Sequence, residues 1–224
     1  MMVLTRARDV VLLGPPGAGK GTQAKRLADS YELLHISTGD LLRDEVARNT
    51  GLGMQAKTLM ERGELVPDEL VSKILAARLH SQQAALGCVY DGYPRTPAQA
   101  ALLDGLLAEL NRRVDLVLSL ALADDTVLER ITGRRSCPAC GAVFHVSAQP
   151  PKTDGVCDRC GAALVQRKDD REDVVRERLL VYREHTQPLI DLYRRRGALR
   201  EIDGAGSVED VFARLRASMR RSRG

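Results

Sequence analysis

The chain has 224 residues, 44% hydrophobic and 29% charged, with a formal net charge of +4 and no Trp. That length suits one core with room for a small insertion, and that balance excludes a disordered or fibrous chain. No apolar run reaches the ~18 residues that a membrane span needs, and a charge of +4 does not by itself imply nucleic acid.

Met1 to Asp9 carries two arginines with no long apolar region behind them, so no secretory leader is expected and a cytoplasmic location is. Val10–Leu13 reads as a buried strand. Gly14-Pro15-Pro16-Gly17-Ala18-Gly19-Lys20-Gly21-Thr22 follows, and Thr22–Tyr31 reads as a helix. Strand, glycine loop, helix is the arrangement that holds phosphate: backbone N–H groups converge where no Cβ obstructs, and the helix adds its positive end. Lys20 then reaches the outer phosphates. The hydroxyl usual directly after the lysine falls one place later, on Thr22, leaving Gly21 beside Lys20.

Leu33–Ile36 is a second short apolar run. Ser37-Thr38-Gly39-Asp40 closes it and caps a helix from Leu41 to Asn49. Gly51 and Gly53 are expected to interrupt the chain before a helix from Met54 to Arg62, which Gly63 ends. Pro67 opens a helix over 68–83. Cys88–Tyr90 is a third strand, delivering Asp91 to the sheet edge where open α/β sheets bind ligands. A carboxylate there suits the water shell of Mg2+, and Arg95 points into the same cleft. Pro97–Asn111 is helical and Val114–Leu120 apolar enough for a central strand. Ala123–Thr132 is helical. After an insertion at 133–166, helix is expected from Asp170 to Arg196, a fifth strand at Ala198–Ile202, and a last helix from Val208 to Arg221. Alternating strands and helices predict an α/β fold with a five-stranded parallel sheet.

The insertion carries Cys137-x-x-Cys140, sixteen residues, then Cys157-x-x-Cys160. In a reducing compartment this spacing reads as one four-thiolate zinc site, closed and therefore structural. The fifth cysteine, Cys88, reads as a buried apolar group, and His35, His80, His145 and His185 as structural. Of the 34 basic side chains 28 are Arg, so position must decide their roles. Arg130, Arg134, Arg167 and Arg178 flank the insertion and are expected to converge near Lys20, with Asp169 and Asp170 orienting their guanidinium forks. Arg214, Arg216, Arg220, Arg221 and Arg223 make the last helix basic, read as a solvated face.

The loop Gly14–Thr22, Ser37–Asp40, Asp91-Gly92-Tyr93-Pro94-Arg95, Gly133-Arg134-Arg135 and Arg167-Lys168-Asp169-Asp170 together resemble the successive motifs of the adenylate kinases. The order and spacing match over essentially the whole chain after Asp9, with Tyr93 where Phe is common. The resemblance implies a P-loop nucleoside monophosphate kinase fold. Its core would be 1–37, 67–132 and 168–224, its AMP-binding subdomain 38–66, and its zinc-binding lid 133–167. It implies transfer from MgATP to AMP giving two ADP, maintaining adenine nucleotide balance. No exposed heptad or apolar stripe stands out, so a monomer is expected, with no nucleic-acid or membrane partner. The resemblance also implies roles. Gly17, Ala18, Gly19, Lys20, Gly21, Thr22, Arg134, Val143, Phe144 and Gly206 match ATP positions. Thr38, Arg43, Met60, Glu64, Leu65, Val66, Gly92, Arg95, Gln99, Arg167 and Arg178 match AMP positions. Catalysis would fall to Lys20, Arg95, Arg130, Arg134, Arg167, Arg178, Asp91, Asp169 and Asp170, with Mg2+ accompanying ATP and Zn2+ in the lid. On the residues, three rivals stand beside it: another nucleoside monophosphate kinase or a GTP-dependent relative, a zinc-ribbon nucleic-acid-binding ATPase, and a nucleotide-binding regulator without turnover.

Overall fold

A computed structural model describes residues 8–220; Arg221 and Arg223 of the basic tail and the opening residues 1–7 lie outside the described residues. Five parallel strands form the main sheet in the order β2-β3-β1-β4-β7: β1 (Arg8–Leu13), β2 (Leu34–Ser37), β3 (Gly87–Asp91), β4 (Val114–Ala121) and β7 (Leu199–Asp203). β1 is central, pairing with β3 on one side and β4 on the other. The carboxyl ends of β1 and β3 therefore lie side by side, presenting the glycine loop next to Asp91.

Period-2 alternation sends Val11 and Leu13 to one face of the sheet and Val10 and Leu12 to the other. The first face packs on α4 (Asp68–Leu79), α5 (Pro97–Glu109) and α8 (Pro188–Arg195), through Leu75, Leu103, Leu107 and Leu189. The second packs on α1 (Lys20–Tyr31) and α9 (Val208–Arg220), through Leu27, Val211 and Leu215. Helices on both faces account for strands that are apolar throughout. At the far end of the sheet Asp9 is fully buried, with its carboxylate taking Arg112 Nε at 2.8 Å and the Tyr90 hydroxyl at 2.7 Å. Cys88 is buried there as expected, and burial pushes its thiol up.

The local expectations miss at three places. α2 (Thr38–Ala47) begins earlier than predicted, with Ser37 as its cap, and α3 spans Gly51–Arg62, so Gly51 and Gly53 lie inside a helix. Gly53 is there for packing: a Cβ on it would stand 2.2 Å from the Glu45 carbonyl oxygen of α2. α4 stops at Leu79, followed by a 3-10 turn at Gln82–Ala84. The predicted helix over 170–196 is three pieces, α7 (Glu172–Val181), a π-helical segment Tyr182–Thr186, and α8. Pro188 explains the break, because a proline ring in a regular helix collides with the carbonyl four residues earlier.

Between α6 (Asp124–Thr132) and α7 the chain leaves the sheet. It forms a small antiparallel pair, β5 (Arg134–Ser136) with β6 (Val143–His145), around its own cluster of Cys137, Ala142, Phe144 and Cys157.

Candidate active site

The glycine loop is pinned from behind. A Cβ on Gly14 would lie 2.6 Å from the Leu120 carbonyl oxygen, and one on Gly17 would lie 2.7 Å from Ile131 Cγ1. Both also have positive φ, 142° and 75°, so no other residue fits either position. Lys20 opens α1 and folds back over the loop, donating to the Gly14 carbonyl at 2.7 Å and the Pro15 carbonyl at 2.8 Å. Its ammonium is pushed down to about 7, first by desolvation and then by the nearby Arg95, Arg178 and Arg134, while Asp91 opposes the fall. The site therefore carries a surplus of positive charge that a polyanion would neutralise.

Binding of a polyanion here is linked to protonation of Lys20. Lys20 free in the cleft titrates near 7, and phosphate oxygens beside it must raise that value. Between the two, binding of a nucleoside triphosphate takes up a proton and weakens as pH rises. Calorimetry at pH 8 in two buffers of different ionisation enthalpy is expected to show proton uptake, absent in Lys20→Ala. Identical heats in both buffers would refute it.

Asp91 closes β3. A Cβ on Gly21 would come within 3.2 Å of Asp91 Oδ2, so the missing side chain at position 21 keeps space open before the carboxylate. That space and an oxygen donor fit a hydrated Mg2+.

A cavity open to solvent is lined by Thr38, Arg43, Met60, Glu64, Leu65, Val66, Gly92, Arg95, Gln99 and Arg178, among others. Thus ten of the residues that the resemblance gives to AMP surround one space; Arg167 stands outside it. Thr38 Oγ1 and Arg95 Nε both donate to the Gly92 carbonyl, at 2.9 and 2.8 Å. Gln99 is buried, with Oε1 accepting from Arg95 N and Nε2 donating to Asp68 Oδ1. A second cavity, also open to solvent, reaches Gly14, Pro16 and Lys20. The two share Gly63, Leu65, Gly92, Arg95 and Arg178 as wall.

The arginines at the root of the insertion are held by carboxylates. Asp170, fully buried, takes Arg134 through both Nε and Nη2, a forked pair, and Arg178 Nη1 lies 3.6 Å away. Arg178 Nη1 also donates to Asp169, at 2.8 Å to the carbonyl and 2.9 Å to Oδ2. Burial pushes Arg178 down to about 10. Arg167 falls to about 10 by burial and by the neighbouring Arg43 and Arg134.

The four sulfurs of Cys137, Cys140, Cys157 and Cys160 all lie within 4.8 Å of one another. Two separations are 3.4 and 3.6 Å, too long for a disulfide and near the ~3.8 Å edge of a tetrahedron with ~2.3 Å metal–sulfur bonds. The Cys137 thiol is lowered to about 6, first by the Cys140 backbone N–H. The two knuckles match, with Gly141 N–H returning to the Cys137 carbonyl and Gly161 N–H to that of Cys157, at 3.0 and 2.8 Å.

Comparison with known proteins agrees with this geometry. A sequence model of the family described as adenylate kinase matches residues 12–198. A relative named adenylate kinase from Archaeoglobus fulgidus is 50% identical over 209 residues, 93% of this chain and 96% of the relative. Relatives of the same name from Syntrophobacter fumaroxidans and Clostridium beijerinckii are 49% and 47% identical, covering 93% and 91% of this chain and 98% and 94% of their own. The chain belongs to the adenylate kinase family.

Within this adenylate kinase frame, two expectations need correction. Arg130 does not join the group around Lys20: its guanidinium donates to the carbonyls of Gly204, at 3.2 Å, and Gly206, at 3.4 Å. It sits one turn before the insertion, beside Ile131, which is buried in the α6–α7 contact, and that phase aims it at the loop after β7. Arg167 also turns aside, its Nε donating to Ser136 Oγ at 3.0 Å. Phe144 is buried in the cluster of the insertion while Val143 is exposed, because neighbours on a strand face opposite ways. Sequence reasoning missed His35, whose Nε2 lies 3.8 Å from Asp91 Oδ2, and Tyr182 and Thr186 in the wall near Lys20. In the basic last helix, Arg214 is turned back onto the Asp203 and Ala205 carbonyls.

Proposed function

We propose that the enzyme transfers the γ-phosphoryl group of MgATP directly to AMP, giving two ADP, with both nucleotides held in one cleft. The observation that carries this is the shared wall: Arg95 and Arg178 border both the cavity reaching Lys20 and the cavity under Thr38. An acceptor phosphate there would meet the donor's last phosphate between fixed cations.

The acceptor needs no general base. A phosphate monoester is largely dianionic above its second pKa of ~6, so its oxygen attacks as it stands. A bond forms from that oxygen to Pγ while the bond from Pγ to the bridging oxygen breaks, and the leaving ADP carries the charge away. The cost is bringing two polyanions together, and Lys20, Arg95, Arg134 and Arg178 offset it and stabilise the equatorial oxygens. Asp91 would hold Mg2+ through its water shell, and that ion supplies further neutralisation of the donor phosphates. Thr38 and Gln99 line the end of the acceptor cavity; Gln99 keeps one amide N–H and one carbonyl lone pair for an adenine edge. Residues 38–66 act as the AMP-binding subdomain and 133–167 as a lid that excludes water, the competing acceptor. Cys137, Cys140, Cys157 and Cys160 hold a structural Zn2+. No helix among the described residues is long and apolar enough to cross a membrane. We take the enzyme to be cytoplasmic and to act as a monomer.

ATP made chiral at Pγ with oxygen isotopes tests the single displacement. Inversion in the ADP formed is expected from one in-line transfer; retention would reveal a phosphorylated enzyme and overturn the scheme.

A further inference from the structure

The π-helical segment is not accounted for by phosphate binding, nor is the buried threonine that ends it. Thr186 is 7% exposed, and its Oγ1 donates to the Arg95 backbone carbonyl at 2.9 Å. Arg95 N donates to Gln99 Oε1 at 2.7 Å and Arg95 Nε to the Gly92 carbonyl at 2.8 Å. Thr186 thus supplies the bond from outside the segment to the carbonyl side of Arg95. It also lines the cavity between Lys20 and Arg178.

Arg178 stands on α7, which runs without interruption into the π-helical Tyr182–Thr186. The wide turn is closed by Gln187 N–H on the Tyr182 carbonyl at 2.8 Å, five residues back. Such a turn amounts to one extra residue in an α-helix, and rotates everything after it by about 100°. Without it, the residue facing Arg95 would not be Thr186. We infer that Thr186 is a positioning residue for phosphoryl transfer: through the π turn, the rod that carries Arg178 also sets the backbone of Arg95, locking the two guanidiniums at one relative placement. This rests on the reading above that Arg95 meets the acceptor phosphate. Rotation of Arg95 about an unheld carbonyl would displace a guanidinium fork, and a shift of ~1 Å in a positioned group costs up to ~100-fold in rate.

The test uses Thr186→Val, Thr186→Ser and Arg95→Lys, singly and in the Val/Lys combination, with steady-state kinetics for both substrates and thermal melting. Thr186→Val is expected to lower kcat/KM for AMP roughly tenfold or more while leaving KM for ATP within about twofold; Thr186→Ser should restore most of the loss. In the Arg95→Lys background the valine should cost much less, since the residue being positioned is already impaired. Equal effects on AMP and ATP, failure of serine to rescue, or fully additive losses would overturn the inference. If Thr186→Val does not fold, Thr186→Ala is measured instead; loss of folding in both would show a structural hydroxyl and also overturn it. Arg95→Lys without effect on AMP would instead sink the reading of Arg95, and the inference with it.

Discussion

Lys20→Ala is expected to lose turnover by roughly 10²–10³-fold or more while remaining folded. The lower bound is what one preorganised donor to developing charge is worth, and on the proposed scheme Lys20 would face the donor phosphates from the end of the glycine loop. The fold should survive because Lys20 adds nothing to the apolar core. Its ammonium donates to the Gly14 and Pro15 carbonyls. Stability should hold or rise slightly, since the change removes a desolvated cation that already faces Arg95, Arg178 and Arg134. kcat together with a melting curve decides it. Near-normal turnover in a folded variant would remove Lys20 from the mechanism.

Removing metal from the four-cysteine cluster should have the largest effect on stability, and a local one. Ordering backbone costs roughly 1–2 kcal/mol per residue. Against the length of residues 133–167 the insertion sets only four buried apolar side chains, Cys137, Ala142, Phe144 and Cys157, with Ala162 and Leu164 partly buried against them, worth roughly 1.5–3 kcal/mol each at best. A structural zinc, at an apparent ~10–16 kcal/mol, makes up much of the difference. Chelation or Cys157→Ser should therefore strip hydrogen-exchange protection from the insertion first, with the sheet still protected. Transfer at low temperature should largely survive, because Arg95, Arg134 and Arg178 lie outside the knuckles. Metal content near zero in protein purified without chelator would contradict this, as would simultaneous melting of sheet and insertion.

What could be read from residue order was whatever depends on local chemistry. Gly14, Gly17 and Gly19 announced the loop because their backbone angles are closed to other residues. Val10–Leu13 and Val114–Leu120 announced buried parallel strands because both faces are covered. The cysteine spacing announced the cluster because a knuckle needs two residues between ligands and a glycine after the second. What could not be read depends on phase and contact over long separations. Gly53 looked like a breaker and is a close-packing residue against Glu45. Arg130 was assigned by position along the chain, whereas its phase within one helical turn decides where it points. Thr186 carried no motif; its role appears only once the π turn has rotated it onto Arg95, some ninety positions earlier. Pro188 was the one local sign that the long helix could not be regular.

The central claim is that one cleft serves an adenine nucleotide donor and AMP as acceptor, with water shut out. It is tested most directly by a coupled assay of ADP formation across ATP, GTP and CTP as donors and AMP, GMP, CMP and UMP as acceptors, with ATP alone as a control. The account predicts fast turnover with ATP and AMP, two ADP per AMP consumed, other acceptors slower by roughly 10-fold or more, given ~1–3 kcal/mol for a paired base contact, and hydrolysis of ATP alone far slower still. Comparable rates with all four acceptors, or hydrolysis outrunning transfer, would contradict it.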